Sequence, residues 1–510
     1  MGRFINHLLS KNSLLIIAGA MMHASALGFG LFYTAWICLV PLFVFTYTLK
    51  GKRAFYSGAA YGFVFACLAL FWLPVTVLSL TQGTIAKALL TGLLAFGTYT
   101  VYYGAIIWFF SYLKRPGRNA YADALLIAAI WTISDFLMSS LSNGMPWYSM
   151  CIGNALLGNL YAIQPAEYGG ISLLGFAVVF INYLFAHFFT AKQWKKMTIP
   201  AGAIIVYMTA GYLILSNFRL HYAPSGEPVK VALLSGNIPN SVPWNAENGN
   251  TLIKGLLQLN DEALRTQPDI VLWPESVVPW TYRPDDDFIK AILKSTALLP
   301  ATYHIIGMGT SLSKNELYNS AYCFLPDGSI AGRYDKHYLV SMAEEPIRLL
   351  SWTLLKKNEE AYFKTGNGGN AITTSKGKIG VLICNEVFVS RAARASVQEG
   401  AEFLVSLASD APVAMALGVV NQQFFRSRLR AVEVRKDIAV SCNMGISGMI
   451  AATGEILHSD RQEGGSTSSV VLTPNTMEPK SPHLSMITIY FSAIIILVFF
   501  YFLTFKINFS

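Results

Sequence analysis

Charged residues are scarce in this chain of 510 residues. Asp, Glu, Lys and Arg make up 13% of it, whereas soluble globular proteins average about 25%. Apolar residues reach 53% and are concentrated in residues 13–216 and 486–505. We therefore expect these two regions to lie in a membrane. The stretch between them, roughly 260 residues, has an ordinary soluble composition and is long enough to bury a core of its own.

The sequence also lacks the motifs that mark several enzyme classes. It contains no HExxH, P-loop or GxGxxG motif, which argues against the metal-dependent and nucleotide-dependent classes that these motifs identify. Cysteines are few, widely spaced and without a CxxC pair, so neither a disulfide framework nor a zinc site is expected. The six are Cys38, Cys67, Cys151, Cys323, Cys384 and Cys442.

Eight apolar windows of about 20 residues are candidates to cross a bilayer. They lie at 14–32, 34–49, 57–80, 86–113, 119–140, 170–190, 198–216 and 486–505. The first two are joined by almost no loop. The basic N-terminus leads into an apolar run without a small-residue cleavage site, so we expect a retained first helix rather than a removed signal peptide.

Basic residues occupy alternate connections between these windows. They lie before the first window, after the last, and in the connections at 50–53, 114–118 and 192–196. The long connection 141–169 has no Lys or Arg. The positive-inside rule then places both termini in the cytoplasm. The predicted domains are a membrane domain of seven helices over 1–216, an extracytoplasmic catalytic domain over 217–484, and an eighth helix with a cytoplasmic tail over 485–510.

Short strand-like runs alternate with amphipathic helical stretches between the membrane regions. The runs lie at 229–234, 269–273, 304–308, 379–383 and 403–407. Helical periodicity occurs at 250–266 and 421–436, and the segment around Asp327-Gly328 is typical of a hairpin turn. Strands alternating with helices predict a layered α/β domain.

Three reactive side chains stand at the ends of predicted strands. Glu275 closes one apolar run, Lys336 follows the hairpin, and Cys384 closes another run. Strand ends are where α/β domains gather catalytic groups. A carboxylate can take the proton of a thiol, while an ammonium favours the thiolate and stabilises an oxyanion on the acyl carbon. Each residue alone is more often structural, so the interpretation depends on all three occurring in this order.

The local context of these residues is similar to a known superfamily. The motifs Trp273-Pro274-Glu275, Tyr334-Asp335-Lys336 and Ile383-Cys384-Asn385-Glu386, with the opening Gly236-Asn237-Ile238, resemble the Glu-Lys-Cys motifs of nitrilases. Four further segments resemble the apolipoprotein N-acyltransferase family, a membrane branch of that superfamily. They are Arg430-Ala431-Val432-Glu433, Asn443-Met444-Gly445-Ile446-Ser447-Gly448, Gly144-Met145-Pro146-Trp147 and Ala166-Glu167-Tyr168-Gly169-Gly170. The flanking spans fit the same family.

The resemblance implies a membrane α-helical bundle of eight spans that carries a nitrilase-like α-β-β-α sandwich. It implies that Cys384 is the nucleophile, Glu275 the general base and Lys336 the support of the oxyanion. Glu344 and Glu386 would be auxiliary residues, the second of them orienting Lys336. No metal or other cofactor is expected.

The same resemblance implies ping-pong acyl transfer in the bacterial inner membrane, with the catalytic domain in the periplasm. The donor would be a phospholipid and the acceptor the free amine of a diacylglyceryl-cysteine on an apolipoprotein. The enzyme would be a monomer that binds no nucleic acid. Substrate-binding or lid positions expected on this basis are Trp147, Trp352, Asn443 and Ser447. The apolar stretches 347–363 and 411–425 are interpreted as lid or membrane-contact segments.

Two loops depart from the family pattern. Ser341-Met342-Ala343 stands where Pro-Phe-Gly is usual before Glu344, and Ala411-Pro412-Val413 stands where Trp-Phe-Gly usually follows Ser409-Asp410. These differences leave the three catalytic motifs intact and leave the donor and acceptor preference open.

Two other functions fit parts of the pattern. The same three residues could hydrolyse a small amide, as in a membrane-tethered amidase or nitrilase, and the discriminating observation is whether the protein holds a long acyl chain. The second alternative is a transporter or lipid-binding protein with an inert outer domain, but the sequence shows no inverted repeat or paired broken helices of the transporter kind.

Overall fold

Apolar helices fill the first part of the computed structural model. The structure describes residues 11–504 except 29, 81–83, 116, 143–144, 146–147, 298–301, 342, 350–351, 356–361, 462 and 481. The helices before the α/β domain are α1 Lys11–Gly28, α2 Val40–Thr46, α3 Gly51–Ala69, α4 Leu73–Leu80, α5 Ile85–Leu113, α6 Ala120–Leu141, α7 Ala166–Thr190 and α8 Thr198–His221.

Helices also lie within and after the α/β domain. They are α9 Gly249–Leu264, α10 Asp287–Thr296, α11 Ser390–Gln398, α12 Leu417–Val434 and α13 Pro482–Thr504. The last of them is apolar and packs against α6 and α7, so it rejoins the membrane helices after the chain has completed the α/β domain.

The structure matches the prediction of eight full spans only in part. Among the described residues, four helices are long and apolar enough to cross a bilayer: α5, α6, α7 and Trp194–His221, which contains α8. The predicted window 34–49 instead forms a 3-10 turn, Phe32–Trp36, followed by the seven-residue α2. Seven helical residues rise only about 10 Å, against about 30 Å of hydrocarbon. The window 57–80 is divided between α3 and α4.

A polar side chain from α7 supports the break before α2. Asn182 accepts a hydrogen bond from the Leu39 N–H at 2.9 Å and donates one to the Ala35 carbonyl at 2.8 Å. Pro41 at the start of α2 has no N–H to donate, and the first helical turn does not need one. An apolar window in the sequence shows only its composition. It does not show that a residue distant in the sequence, such as Asn182, forms hydrogen bonds with its backbone N–H and C=O groups.

Two β-sheets form the centre of the α/β domain. The strands are β1 Val229–Ser235, β2 Ile270–Leu272, β3 Tyr303–Ser313, β4 Glu316–Phe324, β5 Ile330–Asp335, β6 Ile347–Leu349, β7 Trp352–Leu355, β8 Tyr362–Phe363, β9 Ala371–Thr374, β10 Gly377–Ile383, β11 Phe403–Ser409, β12 Ile438–Asn443, β13 Ser447–Ile450, β14 Ile456–Asp460 and β15 Ser466–Leu472. The first sheet has the order β15-β1-β2-β3-β4-β5 with β8 beside β4, and the second has the order β14-β13-β12-β11-β10-β9. Strands β6 and β7 pair separately.

The two sheets pack face to face with helices on both outer faces. Side chains of β1 and β2 share one apolar cluster with those of β10 and β11, which places this core between the sheets. Helices α9 and α10 cover the first sheet, whereas α11 and α12 cover the second. This four-layer arrangement confirms the predicted nitrilase-like α/β domain. The predicted hairpin is also present, with β4 and β5 joined at Gly328, whose φ of 87° a glycine accommodates readily.

Helix α12 connects the α/β domain to the membrane helices. Asn421 near its start donates to the Gly28 carbonyl of α1 at 3.1 Å. Just past its end, Arg435 forms an ion pair of 2.7 Å with Glu167 of α7, and both side chains are buried. The stretch 411–425, interpreted from sequence as a lid or membrane contact, is therefore largely docked on the membrane helices. Met415 remains 65% exposed.

Candidate active site

Three strand ends carry the residues selected from the sequence. β2 leads through Trp273 and Pro274 to Glu275, β5 leads directly to Lys336, and β10 leads to Cys384. Glu275 and Lys336 are 8% and 1% exposed, and Lys336 Nζ lies 3.3 Å from Glu275 Oε1. Glu344 approaches the same ammonium at 2.9 Å. The fold thus brings Glu275, Lys336 and Glu344 into one buried cluster.

A close backbone approach holds Glu275 in this position. Gly307 of β3 lies directly beneath the turn that carries Glu275, and a Cβ at this position would lie 2.5 Å from the Pro274 carbonyl oxygen and 2.7 Å from Glu275 Cα. Any larger residue would displace the turn. Glycine is therefore needed at position 307 for the distance between Glu275 and Lys336.

Asn319 joins the two carboxylates, and the sequence analysis missed it. Its Nδ2 donates to Glu275 Oε1 at 2.8 Å and to Glu344 Oε1 at 2.7 Å, while its carbonyl accepts the Lys336 N–H at 2.8 Å. The residue is 3% exposed in the interior of β4, where it lies opposite Lys336. No local sequence pattern pointed to Asn319, because it reaches the site only through the pairing of β4 with β5.

Cys384 occupies an unusual backbone conformation at the start of a 3-10 turn. Its φ is 52°, in the left-handed region, and the turn runs over Cys384–Phe388. Such a conformation is costly for a non-glycine residue and persists only where the surroundings enforce it. Gln423 of α12 donates from Nε2 to Cys384 Sγ at 3.8 Å.

Charge and burial act on the Cys384 thiol in opposite directions. Burial raises its pKa well above the ordinary value, the negative charge of Glu275 adds to that increase, and Lys336 opposes it. Burial also acts to lower the pKa of Lys336, but the carboxylates of Glu275 and Glu344 outweigh burial and hold that pKa above its ordinary value. The resting site therefore contains a thiol within electrostatic range of a charged ammonium.

Glu386 lies two residues after Cys384 and is fully buried. Its carboxylate accepts hydrogen bonds from the Ile383 N–H at 2.8 Å and the Tyr334 hydroxyl at 2.8 Å. It also accepts the backbone N–H of His337 at 2.9 Å. Glu386 therefore connects the turn of Cys384 to the Tyr334 hydroxyl and to the backbone just after Lys336. Burial raises its pKa, although these donors partly offset the increase.

Asp410 is a second residue that the sequence analysis did not select. It follows β11, is 2% exposed, and its backbone N–H donates to the Asn443 carbonyl at 2.8 Å. Burial raises its pKa to about 7, a hydrogen bond from Cys442 opposes the increase, and the charge of Glu275 adds to it. The charge of Asp410 also contributes to the raised pKa of Cys384. A carboxyl that titrates near neutral pH therefore lies within electrostatic range of the thiol.

The four expected substrate-binding or lid residues have different placements. Asn443 accepts from the Ile238 N–H at 2.8 Å and lines a cavity of about 220 Å³ that Glu275 also lines. Ser447 is buried, and its hydroxyl accepts the Cys442 N–H at 3.0 Å. Trp147 lies outside the described residues. Trp352 is part of β7, but its side chain is not among those that the structure describes. The expected roles of Trp147 and Trp352 therefore stay predictions.

The arrangement is suited to nucleophilic acyl transfer. A thiol, a carboxylate that can accept its proton and an ammonium near the reacting carbon are the components of a thioester mechanism. Among the residues that the structure describes, no group of three or more His, Cys, Asp or Glu side chains is placed to hold a metal ion.

Comparison with known proteins gives matches over both parts of the chain. Residues 230–479 match the carbon-nitrogen hydrolase family model, and residues 18–184 match the model of the apolipoprotein N-acyltransferase N-terminal domain. A protein of Geobacter metallireducens named apolipoprotein N-acyltransferase is 26% identical over 86% of this chain and 85% of its own length. One of the same name from Vibrio vulnificus is 23% identical over 92% of each chain. A solved carbon-nitrogen hydrolase from Helicobacter pylori G27 is 17% identical, covers 49% of this chain and 89% of its own, and aligns with a TM-score of 0.37.

Proposed function

Because this chain belongs to the apolipoprotein N-acyltransferase family, within the nitrilase superfamily, we propose that it completes lipoproteins by N-acylation through a thioester on Cys384. The acyl donor is a phospholipid. The acceptor is the N-terminal amine of a diacylglyceryl-cysteine on an apolipoprotein. The enzyme is an acyltransferase and not a hydrolase of small amides, since the N-terminal domain model and the named relatives carry the acyltransferase name. The carbon-nitrogen hydrolase model describes the superfamily of the α/β domain.

The observation that carries the mechanism is the buried contact of Lys336 with Glu275, beside the Cys384 thiol. Lys336 is 1% exposed, with Nζ 3.3 Å from Glu275. An ammonium so enclosed keeps its charge throughout the reaction, because the neighbouring carboxylates raise its pKa. It is therefore a fixed positive charge available to an oxyanion that forms on an acyl group attached at Cys384.

In the first half-reaction, the Cys384 thiol attacks the ester carbonyl of the phospholipid. Glu275 accepts the thiol proton as the S–C bond forms, and the carbonyl oxygen becomes an oxyanion beside Lys336. Collapse of this intermediate breaks the ester C–O bond. The departing oxygen takes the proton from Glu275 and leaves as the hydroxyl of a lysophospholipid, so the acyl chain remains on Cys384 as a thioester.

In the second half-reaction, the acceptor amine attacks the thioester carbon. Glu275 accepts a proton from the amine while Lys336 again faces the oxyanion. The C–S bond then breaks, the thiolate of Cys384 regains the proton from Glu275, and the product is an amide on the lipoprotein. The same three side chains serve both steps, so no cofactor takes part in the scheme.

Glu344 and Glu386 act as positioning residues in this scheme. Glu344 shares Asn319 with Glu275 and holds Lys336 from the second side at 2.9 Å. Glu386 fixes the backbone around Cys384 and the backbone beside Lys336. A precise arrangement of this kind matters because misplacement by about 1 Å can reduce a rate about 100-fold.

The membrane part is proposed to contain eight spans with both termini in the cytoplasm. The four long apolar helices are supplemented by α1, by the whole apolar segment Phe32–Thr46, of which α2 is only a part, by the α3–α4 pair and by α13. The alternation of basic connections supports this count. The α/β domain then lies on the periplasmic face of a bacterial inner membrane, where lipid donor and lipoprotein acceptor are both present. The proposed unit is a monomer.

Acyl transfer by the purified full chain tests this function. A diacylglyceryl lipopeptide and a phospholipid with a labelled acyl chain are supplied to wild type, Cys384→Ala and Cys323→Ala, the last a matched control in the sheet core. We expect transfer by wild type and by Cys323→Ala and none by Cys384→Ala. Normal transfer by Cys384→Ala, or release of ammonia from small amides without acyl transfer, would overturn the proposal.

A further inference from the structure

A cavity of about 480 Å³ lies between the α/β domain and the membrane helices. The ends of α6, α7 and α13 that are nearest to the α/β domain form one wall, and α11 with the middle of α12 forms the other. Glu275, Lys336 and Cys384 are not among the residues that line it. The cavity is therefore separate from the site of the proposed thioester.

Three buried arginines of the α/β domain line this cavity. Arg394 is 6% exposed, and Arg426 and Arg430 are each 1% exposed. Several of their nitrogens, namely Arg394 Nη2, Arg426 Nε, and Arg430 Nε and Nη1, have no hydrogen-bond partner within the described part of the chain. A buried guanidinium N–H without an acceptor is costly. These nitrogens therefore favour a ligand with several acceptor oxygens.

The charge balance of the lining favours an anion. Arg391 also lines the cavity, which brings four cations against the two carboxylates of Asp135 and Glu433. Both carboxylates are already engaged, Asp135 by the Tyr102 hydroxyl at 2.5 Å and Glu433 by Arg430 at 3.1 Å. Burial lowers the pKa of Arg430 to about 10, so this residue stays cationic at neutral pH. The lining carries two positive charges without a countercharge.

The membrane wall of the cavity is mostly apolar. Phe136, Ile171, Met486 and Ile489 line it, and they come from the three membrane helices. Helix α7 has a non-helical kink at Gly170, which also lines the cavity. A ligand that fits both walls has an anionic head toward the arginines and apolar chains toward the helices.

We propose that this cavity binds the phosphate of a phospholipid headgroup, at a site separate from that of the acyl donor. Planar guanidinium groups match phosphate oxygens in geometry and charge. Basic recesses beside membrane helices are known to bind lipid headgroups. The lipid connects α11 and α12 to α6, α7 and α13, so it stabilises the junction of the two parts of the enzyme. Inorganic phosphate offers the same oxygens, and the test separates the two sources.

Native mass spectrometry of the full chain in detergent tests the proposal. The probe is phosphatidylglycerol with ether-linked chains, which has no acyl ester for Cys384 to attack. We expect Arg394→Gln and Arg430→Gln each to retain one fewer tightly bound lipid per chain than wild type and to bind the probe about tenfold more weakly, the factor expected for one charge-assisted hydrogen bond. A lipid at the donor site remains in every variant.

Arg428→Gln is the matched control. Arg428 is also a buried arginine of α12, but it donates to the Gly454 and Leu157 carbonyls and does not line the cavity. We expect it to retain the wild-type number of lipids. Equal lipid loss from Arg428→Gln and Arg430→Gln would overturn the proposal, because the loss would then follow from any buried arginine.

Three further arms keep the test decisive if an arginine variant fails to fold. Ser139→Phe fills the cavity from α6 and leaves every arginine in place, so we expect it also to lose one lipid. Retention of that lipid would contradict the proposed location. A dialkylglycerol without phosphate should not bind at this site, and equal binding would overturn phosphate recognition. If inorganic phosphate raised the thermal unfolding midpoint of wild type and the ether lipid did not, the lipid assignment would be overturned.

Discussion

Asn319 donates a hydrogen bond of 2.8 Å to Glu275 from the interior of a neighbouring strand. The same amide nitrogen donates to Glu344, so two carboxylates that would otherwise repel each other share one donor beside Lys336. The distance between Glu275 and Lys336 thus depends on Asn319, which itself carries no charge.

Asn319→Ala tests this dependence. Without the shared donor, Glu275 is held by Lys336 alone, whereas Glu344 keeps both Lys336 and the Val340 N–H. We expect the rate of thioester formation to fall about 10- to 100-fold, in the range of a misplaced catalytic group. Single-turnover acylation of the enzyme by a phospholipid measures it. Asn315→Ala is the control, because Asn315 is exposed just before β4. A rate in Asn319→Ala equal to that of the control would contradict the role.

Glu386→Gln tests the positioning of the Cys384 turn. In wild type, the Glu386 carboxylate accepts hydrogen bonds from Ile383, His337 and Tyr334. The variant keeps the shape of the side chain but replaces one of these acceptor oxygens with an NH₂ group, which cannot accept a hydrogen bond. We expect kcat to fall about 100-fold because the nucleophile shifts relative to Lys336, with KM for the phospholipid nearly unchanged. Steady-state kinetics separates the two parameters. A change confined to KM would indicate substrate contact instead of positioning.

The sequence pattern selects the proposed reactive residues but not the residues that contact them in the structure. Glu275, Lys336 and Cys384 each follow a short strand or hairpin, so local pattern was enough to select them. Asn319 and Asp410 reach the site only through strand pairing and sheet packing, which local pattern does not reveal. Their contacts join segments far apart in the sequence.

The same limit applies to the membrane helices. The window 34–49 has the composition of a span, yet Asn182, more than a hundred positions later, supports a break within it. A layered α/β domain was predictable because strands and amphipathic helices alternate with different periods, and each period is visible locally. The α-β-β-α layer order came from the family resemblance. The docking of α12 on the membrane helices was not predictable, since the apolar face of a helix does not indicate which element it packs against.

Asp410→Asn tests the pH dependence of the thiol. In wild type, Asp410 loses its proton as the pH rises through about 7, and the new negative charge raises the pKa of Cys384 further. The asparagine variant has no such charge. We expect its Cys384 to react with iodoacetamide at the wild-type rate below this pH and several-fold faster above it. A rate ratio that stays constant through pH 7, measured by mass spectrometry of the Cys384 peptide, would contradict the assignment.

Arg435→Gln tests the junction of the two parts of the protein. It leaves the Glu167 carboxylate buried without its cation, and removal of one partner of a buried ion pair costs about 3–5 kcal/mol. Arg219→Gln is the matched control, because Arg219 and Glu455 also join a membrane helix to the α/β domain, but as an exposed pair worth about 1 kcal/mol or less. We expect a clearly larger decrease in the thermal unfolding midpoint for Arg435→Gln. Equal decreases would show that the buried pair contributes no more than the exposed one.

The central claim is that a fatty acyl chain resides on one sulfur during turnover. Intact-mass measurement of the purified protein, incubated with a phospholipid donor and no acceptor, tests it most directly. We expect an added mass of one acyl chain, located on the Cys384 peptide, absent from Cys384→Ala and removed when a diacylglyceryl lipopeptide is supplied. An adduct that persists in Cys384→Ala, or an enzyme that transfers acyl chains without forming the adduct, would contradict it.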